Sequence, residues 1–299
     1  MSRLSIRPLK IPAPDAFGDW TYPFYRSLLE GGAGNGAETL ACGLFDGDDP
    51  AGLCLTQVRP ATGSAQVISL LVAEPIRGSG WGARLLAETE AGLRARGARE
   101  LGVVYTASDS TAAFEGVLRR CGWEEPRLRM ILCKSDAAHI LEAPWICGAR
   151  LAQGFETFPW RELSTDDRGM INELEGTPLW HPRILSPFND EQYYDPETSL
   201  GLRYRGELAG WVVTHRVIPG SLRYTNVFVR ADVRWKAPHL PMVAEVIRRQ
   251  IASSYYHDTP FGMFNQPVDD PAVHRFFVRR LKPYLISVRE SKGALKRLL

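Results

Sequence analysis

The chain has 299 residues, 44% of them hydrophobic and 23% charged, proportions that exclude a disordered or fibrous chain and leave room for two globular domains. Its net charge of +2 provides no broad basic face for nucleic acid. No apolar run approaches the ~20 residues needed to span a bilayer.

In chain order, residues 4–9 alternate as a first strand, and 15–30, rich in Phe17, Trp20, Tyr22, Phe24 and Tyr25, predict a helix that ends in the Gly-rich turn 31–36. Strands at 40–45 and 52–58 flank Asp46, Gly47, Asp48, Asp49 and Pro50, a hairpin signal. A strand over 65–72 leads into Arg77-Gly78-Ser79-Gly80-Trp81-Gly82 and then a helix, whose Trp81, Leu85, Thr89 and Leu93 recur every four residues before Gly97 stops it. Residues 101–106 read as a buried strand. Asp109-Ser110-Thr111 form an N-cap cluster for a helix over 112–120, which Gly122 ends, and Leu128, Met130 and Leu132 alternate as a strand. This order makes a mixed α/β domain over 1–135. Residues 136–154, with Pro144, Gly148 and Gly154, read as a linker to a second domain over 155–299.

The second half repeats the first. Arg7-Pro8-Leu9 resembles Arg161-Glu162-Leu163, Ala51-Gly52-Leu53 resembles Ala209-Gly210-Trp211, Val72 to Arg77 resembles Val229 to Arg234, and Gly122-Trp123 corresponds to Pro283-Tyr284, all at offsets between 154 and 161. A near-constant offset marks duplicated architecture. The coarse pattern follows: a helix capped by Thr165-Asp166-Asp167, strands at 202–204, 208–214 and 223–229, a helical stripe of Leu240, Val243, Ile247 and Ile251, a strand at 261–264, a helix over 272–281 and a last strand at 285–288.

A strand that enters a Gly-rich turn and a helix start is an anion site, because the first helical N–H groups are unpaired and glycines let a phosphate approach them. Arg77 adds positive charge beside it. The Gly-Lys-Ser/Thr of a nucleotide-binding P-loop is absent, and the early hairpin contradicts a dinucleotide fold.

The stretch from Leu70 to Leu86 resembles motif A of the GCN5-related N-acetyltransferases (GNAT), with Arg77, Gly80 and Gly82 as its (Arg/Gln)-x-x-Gly-x-(Gly/Ala) core, and Cys121-Gly122-Trp123 is similar to the close of motif B. The resemblance covers about residues 1–135 and extends to 155–290 through the repeat. It implies two tandem α/β domains of mixed sheet. It also implies acetyl-CoA or a longer acyl-CoA as co-substrate, with the pyrophosphate on Arg77, Gly78, Ser79, Gly80, Trp81 and Gly82 and the pantetheine arm along Leu70, Leu71 and Val72. Ser110 or Thr111 stands where the family has an asparagine. The implied activity is acyl transfer to an amine of a small molecule or peptide. The alternatives are a non-catalytic acyl-CoA-binding protein, or another thioester reaction such as decarboxylation.

Leu118 occupies the position of the family's usual acid, and Ile68 lies near its usual glutamate. Tyr105 is therefore the candidate catalytic residue, with Ser69 and Asp109 behind it, and a mechanism resting on orientation alone is the other option. In the second copy Arg234-Trp235-Lys236-Ala237-Pro238-His239 replaces the glycine loop, so that copy is expected to have lost CoA binding. His181, Tyr193 and Tyr194 are candidates for lining a cleft between the halves.

Five cysteines, without a CxxC pair, argue against disulfides or a zinc site and for a reducing compartment. Met1 to Leu4 lead straight into strand alternation, not a signal sequence. The expectation is a cytoplasmic monomer or homodimer with no metal and no nucleic-acid or membrane partner.

Overall fold

The computed structural model describes residues 4–32, 36–236, 238–268 and 275–298. Parts of the glycine turn (33–35), of the second loop (Ala237) and of the predicted 272–281 helix (272–274) lie outside the described residues. The chain forms two compact units, Met1–Arg129 with Glu290–Leu299, and Met130–Arg289.

In the first unit, alternating apolar positions build β1 (Leu4–Leu9), β2 (Glu38–Asp46), β3 (Asp49–Arg59) and β4 (Ser64–Val72) as an antiparallel meander. The β2–β3 turn falls at Gly47, with φ +65°. The predicted helix over 15–30 is broken into short 3-10 turns and α1 (Arg26–Leu29). Pro23 holds Tyr22 in an extended conformation, and the Thr21 hydroxyl lies 2.6 Å from the Ser69 hydroxyl on β4. Helix α2 (Trp81–Arg94) and β5 (Glu100–Thr106) follow as expected, β5 running parallel to β4. Helix α3 (Thr111–Arg120) starts at Ser110, which makes no side-chain cap; the Thr111 hydroxyl instead accepts from the Ser108 N–H. Leu85, Leu86 and Leu93 of α2 and Leu118 of α3 are buried against one sheet face, while Phe17, Leu28 and Leu29 cover the other.

After α3 comes β6 (Arg127–Asp136), whose residues from Met130 onward pair in the second unit. There α4 (Ala137–Leu141) and α5 (Pro144–Cys147) occupy the segment read as linker. Asp136 caps α4 by accepting from the His139 N–H, and Pro144, read as part of a linker, sits at the start of α5, where no N–H is required. Strand β7 (Phe155–Pro159) has no counterpart in the sequence reading, and Arg161-Glu162-Leu163 lies in the turn beyond it, not in a strand like Arg7-Pro8-Leu9. The cap of α6 (Thr165–Leu174) is Ser164, not the predicted Thr165 cluster; its hydroxyl accepts from the Asp167 N–H. Strands β8 (Leu200–Tyr204), β9 (Glu207–Ile218) and β10 (Ser221–Val229), helix α7 (His239–Ala252) and β11 (Phe261–Pro267) repeat the plan of β2 to β5. Of the last predicted helix, Phe277–Leu281 forms a π-helical turn.

The repeat holds in atomic detail. Gly52 pairs with Val72 and Gly210 with Val229. A Cβ at Gly52 would lie 2.7 Å from the Leu71 carbonyl oxygen and one at Gly210 2.3 Å from that of Phe228, so both positions demand glycine. The Ala73 N–H donates to the Ala51 carbonyl, and the Arg230 N–H to the Ala209 carbonyl.

The last strand, β12 (Leu285–Arg297), is much longer than predicted, and its Ser291 to Arg297 pair antiparallel with β5 in the first unit. The place beside β5 is thus filled by the end of the chain, not by β6, which follows α3 directly. Lys296 anchors the strand by donating to the Glu90 carboxylate and the Cys121 carbonyl. Glu90, with its side chain only 3% exposed, also accepts from the Trp123 indole at 2.8 Å. Lys296→Met leaves this buried carboxylate with a distant, half-exposed Arg94 as its ion-pair partner. The expected loss is roughly 3 kcal/mol, read as a lowered urea midpoint, with most of the stability retained in Lys296→Arg.

Candidate functional site

In the first unit β4 and β5 are paired from Ser64–Glu100 to Val67–Val103 and no further. The parting coincides with a bulge: Leu55 of β3 opposes Ser69 and Thr56 opposes Val67, leaving Ile68 as the extra residue. A bulge bends its strand and raises the local twist. Leu70, Leu71 and Val72 keep their β3 partners on one edge, so their other edge lies open beyond the last β5 pair. Tyr105 stands on the opposite side of this opening, on the part of β5 held from outside by β12.

The open edge runs into the glycine loop. Arg77 donates its Nε to the Val72 carbonyl at 2.9 Å, folding the loop back on the strand, and Ser79 donates its hydroxyl to the Ile76 carbonyl. Gly80, with φ +89°, is the residue before α2 in a left-handed conformation that side-chain-bearing residues resist. A Cβ at Gly78 or Gly80 would meet nothing within 4 Å, so the loop has clear space beside it. The first backbone bond into the helix is from the Arg84 N–H to the Gly80 carbonyl. The N–H groups of Trp81, Gly82 and Ala83 precede it and are the unpaired donors of the helix start. With the positive end of the helix dipole they can receive an anion.

Residues 7–123 match the family model for acetyltransferases of the GNAT family. Over 99% of each chain, the structure resembles a tandem GNAT protein from the clavulanic acid biosynthesis pathway, at 12% identity and a TM-score of 0.71. It also resembles a GCN5-related N-acetyltransferase from Sphaerobacter thermophilus at 17% identity and a TM-score of 0.64, covering 99% of this chain and 96% of that one. A search of curated proteins finds no match. The chain is a tandem GNAT-fold protein.

In the first unit Leu118 is buried in the core, and Ile68 packs against the cluster that holds Phe17. Tyr105 is half buried, its ring edge-on to Phe114 at 4.9 Å between centroids. Its hydroxyl donates to Glu115 on α3 at 2.8 Å, and Lys292 of β12 lies 3.1 Å from the same carboxylate oxygen. Burial and, after it, this hydrogen bond push the phenol far above its ordinary pKa; the bond, aided by Lys292, holds Glu115 below the usual carboxylate range. A phenol so displaced is poorly matched to proton donation near neutral pH. Neither Glu115 nor Lys292 carries a motif in the sequence, and Lys292 reaches the site only through the long return of β12. Ser110 and Asp109 sit at the start of α3, the Ser110 hydroxyl 3.0 Å from that of Ser108.

The second unit keeps the scaffold but not the glycine loop. Its bulge leaves Thr225 as the extra residue, and its parallel pairing stops at Tyr224–Phe264, each 157 positions after Ile68 and Val67 of the first copy. Arg234 donates to the Val229 carbonyl as Arg77 does to Val72. The arginine is therefore a loop clamp in both copies. The glycines are gone, however, Trp235 stands 76% exposed in the loop, and Pro238 and Pro241 remove N–H donors at the start of α7.

His181 is wholly buried in the second unit, with its ring centroid 4.9 Å from that of Trp211 and 5.6 Å from that of Phe228. It therefore does not line a cleft, as the sequence reading had it. Neither ring nitrogen has a hydrogen-bond partner, and Glu175 stands 3.8 Å away. Among the described residues no cluster of three or more His, Cys, Asp or Glu is placed to hold a metal ion, and no helix is long and apolar enough to cross a membrane.

Burial lowers the pKa of His181 against the opposing pull of Glu175, and His215 and His239 shift the same way. An unfolded histidine titrates near 6.5, so below that pH the unfolded chain binds more protons than the folded one. The stability these residues contribute is present above pH ~6.5 and falls away as the pH drops toward their folded values. His181→Phe is expected to flatten this acid-side slope, as read from urea midpoints between pH ~7 and ~5.

Proposed function

We propose that the first unit transfers an acyl group, most simply acetyl, from acyl-CoA to an amine of a small molecule or peptide. The observation that carries this reading is the parting of β4 from β5 at the Ile68 bulge, with an open strand edge that leads directly to unpaired helix N–H groups. The loop at Arg77 to Gly82 suits a pyrophosphate: the space beside Gly78 and Gly80 is clear, and glycine leaves it unfilled. The edge of Leu70 to Val72 offers the alternating donors and acceptors that a pantetheine amide chain requires. Acetyl-CoA or a longer acyl-CoA supplies the activated carbonyl; the chain's own residues bind and orient it.

In this reading the mechanism rests on orientation rather than on a strong acid. Tyr105 serves as a hydrogen-bonded wall of the opening, tied to Glu115. Removal of a general acid typically costs 10²–10⁴-fold, whereas Tyr105→Phe is expected to lower kcat by less than about tenfold in steady-state assays with an acceptor identified by screening; a larger loss assigns it the acid role. The second reading, acyl-CoA binding without turnover, is favoured by Leu118 and Ile68 at the usual acid and base positions, and product analysis separates the two.

Calorimetric titration with acetyl-CoA and a series of longer acyl-CoAs tests the site itself. One site per chain is expected. Gly80→Trp is expected to abolish binding, because the indole fills the space beside the helix start. Trp235→Gly leaves the stoichiometry at one; a second site there, or no site at all, refutes the assignment.

A further inference from the structure

The second unit contains a cavity of about 550 Å³ lined by Gln192, Tyr193, Tyr194, Arg216, Thr259 and the turn from Val217 to Gly220, a size usual for small-molecule sites. Arg216 is the charged group in its wall, and it is held in a fixed pose. Its Nε lies 2.7 Å from Oδ2 of Asp195, a residue 1% exposed, and its guanidinium stacks 4.1 Å from the centre of the Tyr255 ring.

Asp195 is itself immobilised. Its Oδ1 accepts from the N–H groups of Glu197 and Thr198, the Thr198 hydroxyl and the Tyr255 hydroxyl. Its Oδ2 is buried with no hydrogen bond in line, so the arginine charge is what compensates it. Removing that charge would strand a buried anion. Arg216 therefore cannot swing away, yet its side chain remains 46% exposed. Neither Nη1 nor Nη2 has a hydrogen-bond partner among the described residues. The backbone bridge between Tyr194 and His215 ties the tyrosine segment to β9 beside it.

We propose that this cavity binds a small organic monocarboxylate, its carboxylate on the outer nitrogens of Arg216 and its body against Tyr193 and Tyr194. A planar guanidinium with two free donors matches a carboxylate in bidentate fashion. Because Asp195 already balances the arginine, one negative charge suits the site better than the two of a phosphate. The tyrosines give an organic body a surface that an inorganic ion does not use. The site does not depend on the CoA reading of the first unit.

Ligand-observed fluorine NMR with 4-fluorobenzoate tests this, with 4-fluorobenzyl alcohol as the uncharged match and inorganic phosphate as competitor. The expected result is saturable binding of the benzoate, at least tenfold weaker binding of the alcohol, and little displacement by phosphate. Arg216→Gln is expected to lose binding by tenfold or more. Since that variant exposes Asp195 to loss of its partner, Tyr193→Ala, a change at a half-exposed side chain, provides the second check and is expected to weaken benzoate binding severalfold while the thermal melt stays unchanged. No binding by the wild type, equal binding of acid and alcohol, efficient displacement by phosphate, or unaltered affinity in Tyr193→Ala with a folded protein overturns the proposal.

Discussion

One extra residue in β4 sets the geometry on which the first unit depends. Two parallel strands with matched registers would pair to their ends and leave no polar edge for a guest. Inserting Ile68 turns the end of β4 away from β5 after Val67, and the backbone groups beyond it lose their neighbour. Groups of this kind are expensive to bury without partners, so an opening of this sort is kept where a ligand or solvent completes it. The Arg77 clamp on the Val72 carbonyl then delivers the chain from the open edge to the start of α2 with its donors free.

The second unit separates scaffold from binding. It carries the same bulge, the same point of parting and the same arginine clamp, although it has Trp235 in the loop and prolines at the start of α7 where the first has glycines and free N–H groups. Features shared by both copies are those the architecture needs in order to close. Features confined to the first are the loop glycines and the free N–H groups at the start of α2. The comparison shows that Arg77 has a structural part in shaping the loop, since Arg234 makes the same bond in a loop without glycines.

Most of the fold was legible in the sequence, because strand alternation, the α2 stripe and the glycine loop are local patterns. Errors arose where the cause was distant or the local signal ambiguous. Pro144 read as part of a linker because a proline at a helix start and one in a linker look alike. Residues 15–30 read as one helix because their aromatic richness outweighed Pro23. The partners of Tyr105 were invisible: Glu115 is one of many helical glutamates, and Lys292 is 177 positions from it. His181 read as a candidate for lining a cleft, but the aromatic cluster around it draws on Trp211 and Phe228 from other elements.

The return of β12 to the first unit has a consequence for biosynthesis. Chains emerge from the ribosome at roughly 5–20 residues per second, and amino-terminal domains ordinarily fold first. Here the residues that pair with β5, Ser291 to Arg297, are translated only after the whole second unit, so the nascent first unit keeps one edge of β5 unpaired until they have left the exit tunnel. The first unit therefore reaches its final form only after the second has been made, although its glycine loop lies entirely in the segment made first.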